Sequence, residues 1–257
     1  MRVAVTGAAG VIGRAVLEHL SDRYELVAIT HRREGFPSIV LDIADVESVE
    51  RAFAGVDAAV HLAASPAVDT PWDGILHNNL IGTYAVYEAA RRAGVRTMVF
   101  ASSNHTIGGY EIDGAPDIYE IEDTRVYDHR AELRPDSLYG VSKVFGEALG
   151  RYYHDTFGVR VYNLRIGTVR GDDDPRSSSV AESSFWLDLT LEQKFDRLRA
   201  TWLSRRDCAE LIACCLEADD VSWATVYGIS DNPRQFWDLH EARTLLGFNP
   251  QDGAPVE

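Results

Sequence analysis

The chain has 257 residues, 46% of them hydrophobic and 10% aromatic, enough for one α/β domain with a smaller lobe attached and too few for two full domains. Forty acidic residues against 25 basic ones leave a formal charge of −15, which argues against nucleic acid or an anionic membrane as a partner. Nothing in the composition resembles a disordered or fibrous chain.

The N-terminus, MRVAVTGAAG, enters a strand-and-turn pattern at once, without the charged, apolar and cleavage regions of a signal peptide. No apolar stretch reaches about 18 residues, so a soluble cytoplasmic protein is expected. Cys208, Cys214 and Cys215 fall in one helical segment without metal-ligand spacing. They read as small apolar helix residues, and no metal is expected. The only lysines are Lys143 and Lys194. A carboxylate-rich, lysine-poor surface suits a halophilic protein, although GC-rich coding also favours arginine over lysine. Either way, the retention of Lys143 is a clue to chemistry.

In chain order, Arg2–Thr6 is a short apolar strand and Val11–Leu20 has helical spacing. Strands are expected at Leu26–Thr30, Ile39–Leu41 and Asp57–Leu62, with a helix over Val46–Ala54 capped by Asp45. A long helix over Trp72–Ala93 stops at Gly94, and Arg96–Ser102 is the next strand. Leu138–Phe157 is helical, ends at Gly158 and leads into the strand Arg160–Arg165. Residues 167–202 read largely as loop. Ser204 and Asp207 resemble a capping box opening a helix over Cys208–Ala218. Thr225–Gly228 is a short strand, and Asp238–Leu246 a helix stopped by Gly247. Repeated βα units imply a Rossmann-type, doubly wound parallel sheet over 1–166, with 167–257 a small C-terminal substrate lobe in one integrated unit.

The first strand runs into Gly7-Ala-Ala-Gly10-Val-Ile-Gly13. A helix N-terminus binds pyrophosphate because its free N–H groups and dipole face the anion. Gly7 permits the tight turn, Gly10 a close approach of phosphate to backbone, and Gly13 packing of helix on strand. The second strand ends Ile29-Thr30-His31-Arg32-Arg33, without the acidic residue that usually holds adenosine ribose hydroxyls. Guanidinium groups there suit a 2′-phosphate, so NADP is favoured, with NAD the alternative if Arg32 and Arg33 are solvated loop cations. Asp42 is a candidate acceptor for the adenine amino group or an exposed turn carboxylate.

Tyr139 and Lys143 lie four residues apart on one helical face. A neighbouring ammonium, the helix N-terminus and an oxidised nicotinamide all favour the phenolate, so Tyr139 can act as a general base. Ser103, at the end of a strand, would hydrogen-bond the reacting oxygen. Metal binding at the Asp172–Asp174 run lacks visible partner ligands, and a solvated loop is the simpler reading.

Together these features resemble the extended short-chain dehydrogenases/reductases over nearly the whole chain. Val99–Gly108, Leu138–Glu147, Leu164–Gly167 and Thr201–Ser204 closely resemble uronate dehydrogenases. Gly150–Asp155, Cys214–Asp219 and Val226–Asn232 are similar to archaeal NAD-dependent glucose-6-phosphate dehydrogenases. An archaeal NADP-linked L-arabinose 1-dehydrogenase belongs to the same branch. The resemblance implies oxidation of an anomeric carbon to a lactone. In that reaction Tyr139 takes the C1 hydroxyl proton, Ser103 orients the hydroxyl, and Lys143 holds the nicotinamide ribose and tunes Tyr139. It also implies that Ala9, Val11, Ile12, His31, Ile43, Leu62, Ala63, Ala64, Asn78, Ile166 and Thr168 line the cofactor. Ser65, Asn104, His105 and Arg197 would meet the sugar. Against this, His105 can be satisfied locally at a strand end, and Arg197 can belong to a solvated helix face. Homo-oligomers through the long helices are also expected.

Two departures from the family stand out: His31 replaces the usual aspartate, and Val169–Asp196 is longer than in uronate dehydrogenases. A nucleotide-sugar epimerase or dehydratase shares the loop and the Tyr/Lys pair. It usually needs a larger C-terminal lobe, and in dehydratases acidic residues sit beside the active-site serine. A non-catalytic sensor of NAD(P) is a third reading, although such proteins typically lose the tyrosine or the lysine. Among sugars, a free pentose or hexose is favoured over a hexuronate or hexose phosphate, because no second basic residue flanks Arg197.

Overall fold

A computed structural model describes residues 1–178, Val180 and 188–256. Seven parallel strands form one sheet: β1 (Arg2–Thr6), β2 (Glu25–Thr30), β3 (Ile39–Val40), β4 (Ala58–His61), β5 (Thr97–Ser103), β6 (Arg160–Ile166) and β7 (Trp223–Gly228). Their order is β3-β2-β1-β4-β5-β6-β7. The direction of winding reverses between β1 and β4, and ligands of such sheets bind at this switch point.

The near-continuous apolar strands need cover on both faces. On one face α1 (Val11–Leu20) packs with α8 (Arg205–Glu217), and α9 (His240–Leu246) extends the layer; Val16, Leu20, Leu211 and Ile212 join Val5, Val60 and Val226 in its core. On the other, α2 (Val46–Ala52), α4 (Gly82–Ala93) and α6 (Leu138–Phe157) bury Val49, Val86, Tyr87 and Tyr153 against Ala59, Met98 and Phe100.

Most expected elements are present within a residue or two, including the Asp45 cap of α2 and the stops at Gly94, Gly158 and Gly247. The expected helix over 72–93 is not uniform. A short α3 (Trp72–Gly74) leads into a π-helical segment, Ile75–Ile81, before α4. The stretch 167–202 is less loop-like than expected, because α7 (Leu191–Thr201) occupies its end. A true capping box opens α7, Thr190 and Gln193 each accepting from the other's backbone N–H. At α8 only half of the expected box exists. Ser204 Oγ accepts from Asp207 N, but Asp207 turns its carboxylate to Ser230 and to the backbone of Gln251 and Asp252.

The strand read at 225–228 is β7, paired in register along β6 from Val161↔Trp223 to Ile166↔Gly228. Past the C-terminal ends of β5 and β6, α5 (Gly108–Gly114) and α7 lie beside a third apolar cluster that includes Ile107, Tyr119, Ala200 and Trp237. No helix among the described residues is long and apolar enough to cross a membrane.

Candidate active site

Gly7 sits at the switch point with φ +71°, and a Cβ there would lie 2.7 Å from Ala63 N. The β1–α1 turn thus presses against the segment leaving β4 as only glycine allows. A Cβ on Gly13 would approach Gly7 O to 2.4 Å, so the first turn of α1 is held tightly over the loop. Gly10 N donates to Gly7 O, closing the turn. No side chain caps α1 and its first turn carries no acidic residue. The N–H groups of Val11, Ile12 and Gly13 therefore face the loop mouth, as an anion requires. Ala9 contributes its carbonyl to Arg14 Nε at 3.0 Å.

Beneath the crevice, Thr6 Oγ1 and His61 Nδ1 lie 2.8 Å apart, and His61 Nε2 lies 3.3 Å from Thr83 Oγ1. Burial, aided by the charge of Lys143, pushes His61 down to about 3, so its imidazole is neutral. Thr6 also anchors the next segment, taking Leu62 N on its carbonyl and Ala63 N on its hydroxyl. Ile43 packs against Gly82, and Ala64 follows in the same crossing.

At the end of β2, His31, Arg32 and Arg33 are all exposed. The expectation that no carboxylate stands there needs correcting. Glu34 is folded back, accepting from Arg32 Nε at 3.1 Å and from Arg14 Nη2 at 3.0 Å. Asp42 is exposed at its turn, where it accepts from Ala44 N and lies 2.9 Å from His77 Nε2.

The π-helical segment turns two asparagines toward the 62–65 crossing. Asn78 Nδ2 donates to Ser65 Oγ at 2.8 Å. Asn79, which the sequence reading passed over, is the more connected. Its Oδ1 accepts from Ser65 N, and its Nδ2 donates to Ser142 Oγ at 2.9 Å. Ser142 in turn donates to Tyr139 O. Asn79 therefore ties the first turn of α6 to the 62–65 crossing. π-Segments often sit at functional sites, yet periodicity alone does not distinguish them from an α-helix.

Ser137 caps α6, accepting from Gly140 N at 3.0 Å, and Tyr139 and Lys143 follow on one face. Lys143 is buried. Its Nζ donates to Ala101 O at 2.7 Å and stands 5.0 Å over the Phe100 ring and 5.5 Å from the Tyr139 ring centre. Burial lowers its ammonium to about 8. Burial also pushes the Tyr139 phenol up to about 12, opposed by a hydrogen bond from Ser103. Ser103 accepts from His105 N on the same hydroxyl. Ser103, Tyr139 and Lys143 are thus brought together at the C-terminal end of β5.

Asn104 and His105 form the 3₁₀ turn after Ser103. His105 is held: its Nδ1 lies 2.6 Å from the fully buried carboxylate of Asp136, and its ring meets Tyr139 edge-on at 5.7 Å. Ile166 is buried at the end of β6, and Thr168 pairs with α7 through Thr168 N to Thr201 O, 2.8 Å, and an Oγ1–Oγ1 contact of 2.8 Å. Arg197, one turn earlier, is not on a solvated helix face. It is 12% exposed and bound to Glu111. Beneath the site, Arg165 makes two contacts of 2.9 Å with Glu147, and Ser102 donates to the same carboxylate.

The Asp172–Asp174 run lies in a solvated loop, with Asp172 and Asp174 nearly half exposed, and is tied locally: Asp172 meets Arg170, Asp173 accepts from Arg205 N at 2.9 Å, and Asp174 from Arg176 N. Cys208 and Cys215 are buried and all three thiols are free. Within the longer stretch 169–196, residues 179 and 181–187 lie outside the described residues.

The sequence profile of the NAD-dependent epimerase/dehydratase family matches residues 3–223. The chain belongs to that family. Among characterised relatives it is 39% identical to an NAD-dependent glucose-6-phosphate dehydrogenase of Haloferax volcanii, over 98% of this chain and 94% of that one. It is 41% identical to an L-arabinose 1-dehydrogenase (NAD(P)(+)) of the same organism, over 98% and 97%. The crystal structure of uronate dehydrogenase from Agrobacterium tumefaciens superposes with a TM-score of 0.80 at 35% identity, covering 98% of this chain and 85% of that one. Within this family the chain has the Rossmann-like α/β fold of the uronate dehydrogenases.

Proposed function

We propose that the protein is an NAD(P)-dependent sugar 1-dehydrogenase that oxidises the anomeric carbon of a cyclic aldose to the aldonolactone. The carrying observation is the convergence of Ser103, Tyr139 and Lys143 beside the switch-point crevice. The names of the three proteins compared above, each a sugar dehydrogenase, support the substrate class.

The crevice fits a dinucleotide, because Gly7 and Gly13 let the turn pack closely on the segment after β4 and under α1, whose N-terminus carries no side-chain cap. The residues proposed to line it are Gly7, Ala9, Gly10, Val11, Ile12 and Gly13, then Asp42, Ile43, Leu62–Ala64 and Asn78, and finally Ile166 and Thr168. A bound oxidised nicotinamide would supply the acceptor for the C1 hydride and positive charge near the phenol. Tyr139 takes the C1 hydroxyl proton, Ser103 donates to the same oxygen, and Lys143 holds the ribose and favours the phenolate. Ser65, Asn104, His105 and Arg197 surround the sugar. His105 is oriented by Asp136.

NADP is favoured through Arg32 and Arg33, with NAD also accepted. Glu34 tempers this, because it already draws Arg32 toward Arg14. Exposed Ile81 and Tyr84 in one long helix, with Leu138, Val141 and Phe145 in α6, favour pairing of two copies. The acidic surface suits a cytoplasmic, salt-adapted enzyme.

The test is cofactor reduction with neutral aldoses, uronates, sugar phosphates and a nucleotide sugar, each with NAD and NADP in molar salt. Turnover of free sugars supports the reading. Conversion of the nucleotide sugar alone would replace it with an epimerase or dehydratase.

A further inference from the structure

Glu111 and Arg197 stand 86 positions apart and form a two-point ion pair, Nε to Oε1 at 2.7 Å and Nη2 to Oε2 at 3.4 Å. The Glu111 side chain is only 1% exposed, and Tyr119 Oη donates to its Oε1 at 2.8 Å. Glu111 lies on α5, which begins just beyond the Ser103–Thr106 turn. Arg197 lies one turn before Thr201, which is bound to Thr168 past β6. The pair therefore bridges the segments leaving β5 and β6, and α5, which carries Glu111, packs on the Asn104–Thr106 turn.

We propose that Glu111 is a specificity-determining residue that compensates the charge of Arg197 and so tunes the site to uncharged aldoses over uronates and sugar phosphates. This rests on the sugar-dehydrogenase reading above. An anionic substrate is rewarded by an uncompensated guanidinium. Here it would meet a pair of zero net charge, with the Glu111 carboxylate repelling it at short range. Drawing Arg197 away would strand a carboxylate that is almost fully buried, which is strongly unfavourable. A sugar hydroxyl adds no charge and leaves the pair intact. Neighbouring cations are matched in the same way, Arg134 by Asp113 and Arg199 by Asp196. The overall charge of −15 further disfavours anions.

The experiment compares kcat/KM of wild type and Glu111→Gln for L-arabinose, D-xylose, D-galactose, D-galacturonate and glucose 6-phosphate. Glutamine keeps the volume and the contact with Tyr119 but removes the charge. Wild type should prefer a neutral aldose, and Glu111→Gln should raise the anion-to-neutral ratio about tenfold or more. Thermal unfolding and cofactor binding establish that the variant is folded, and a merely structural role would change those two measurements but not the ratio. Wild type preferring an anionic sugar overturns the proposal, as does a folded variant with an unchanged ratio. If Glu111→Gln does not fold, the wild-type ranking decides alone. Failure of the sugar reading itself shows differently: no sugar of any class reduces a dinucleotide that the protein still binds, and the proposal falls with it.

Discussion

The crevice between β1 and β4 and the pocket past β5 and β6 are built from different materials. The first is shaped by backbone: a left-handed Gly7, an uncapped helix terminus, and main-chain contacts among residues 6–13 and 61–63. The second is shaped by charged side chains far apart in the chain: Glu111 with Arg197, Glu147 with Arg165, His105 with Asp136. A backbone-built site offers much the same cradle to any dinucleotide. A site of paired charges can be retuned by one substitution, and that is where a family sharing one cofactor can diversify its substrates.

The largest expected effect falls where the two regions meet. Tyr139→Phe should cut turnover about a thousandfold or more, as loss of a general base does, with dinucleotide affinity nearly unchanged. Cofactor reduction beside equilibrium binding checks this, and undiminished turnover would remove Tyr139 as the base. Next, Glu147→Ala strands the buried Arg165 guanidinium and should cost roughly 3–5 kcal/mol of stability, read from denaturant midpoints.

On the backbone-built side, Gly7→Ala combines a positive φ with a collision against Ala63. A cost of about 1–3 kcal/mol is expected, together with weaker binding of NAD and NADP alike. Loss of one cofactor only would break the contrast between the two regions. The last effect concerns Lys143 and is read as a slope against pH. Its ammonium titrates near 8 when folded against 10.5 as the ordinary value, so over that window the unfolded chain holds a proton the folded one lacks. Its contribution therefore favours the folded state increasingly as pH rises from 8 to 10.5. The stability of wild type relative to Lys143→Met, measured without cofactor, should climb across that window and stay flat below it.

The same division explains what could be read from the sequence. The Gly7–Gly13 loop, the strands, the glycine stops and the Tyr139/Lys143 spacing are local patterns, and each appears in the structure close to where it was expected. Glu34, Asn79, Glu111 and Asp136 carry no such signal, because their importance lies in partners brought to them by the fold. Glu34 is the instructive case. The sequence shows two arginines and then a glutamate, and only the turn shows that the glutamate lies between Arg14 and Arg32. Helix α7 is not legible in the sequence because the Gly171, Asp172–Asp174 and Pro175 signals before it favour loop across the whole stretch.

The π-helical segment Ile75–Ile81 has a consequence for anyone grafting parts between relatives. It fits one residue more into its turns than an α-helix would, which sets the rotational phase between Trp72–Gly74 and Gly82–Ala93. Deleting one residue as the segment converts to α keeps its flanks nearly in phase, whereas converting all 7 residues would swing everything on the N-terminal side by about 100°. Asn79 would then leave Ser65 and Ser142, and the first turn of α6 would lose its tether to the 62–65 crossing. Winding in this segment behaves like the indexing of a gear, so an exchanged piece must match it turn for turn.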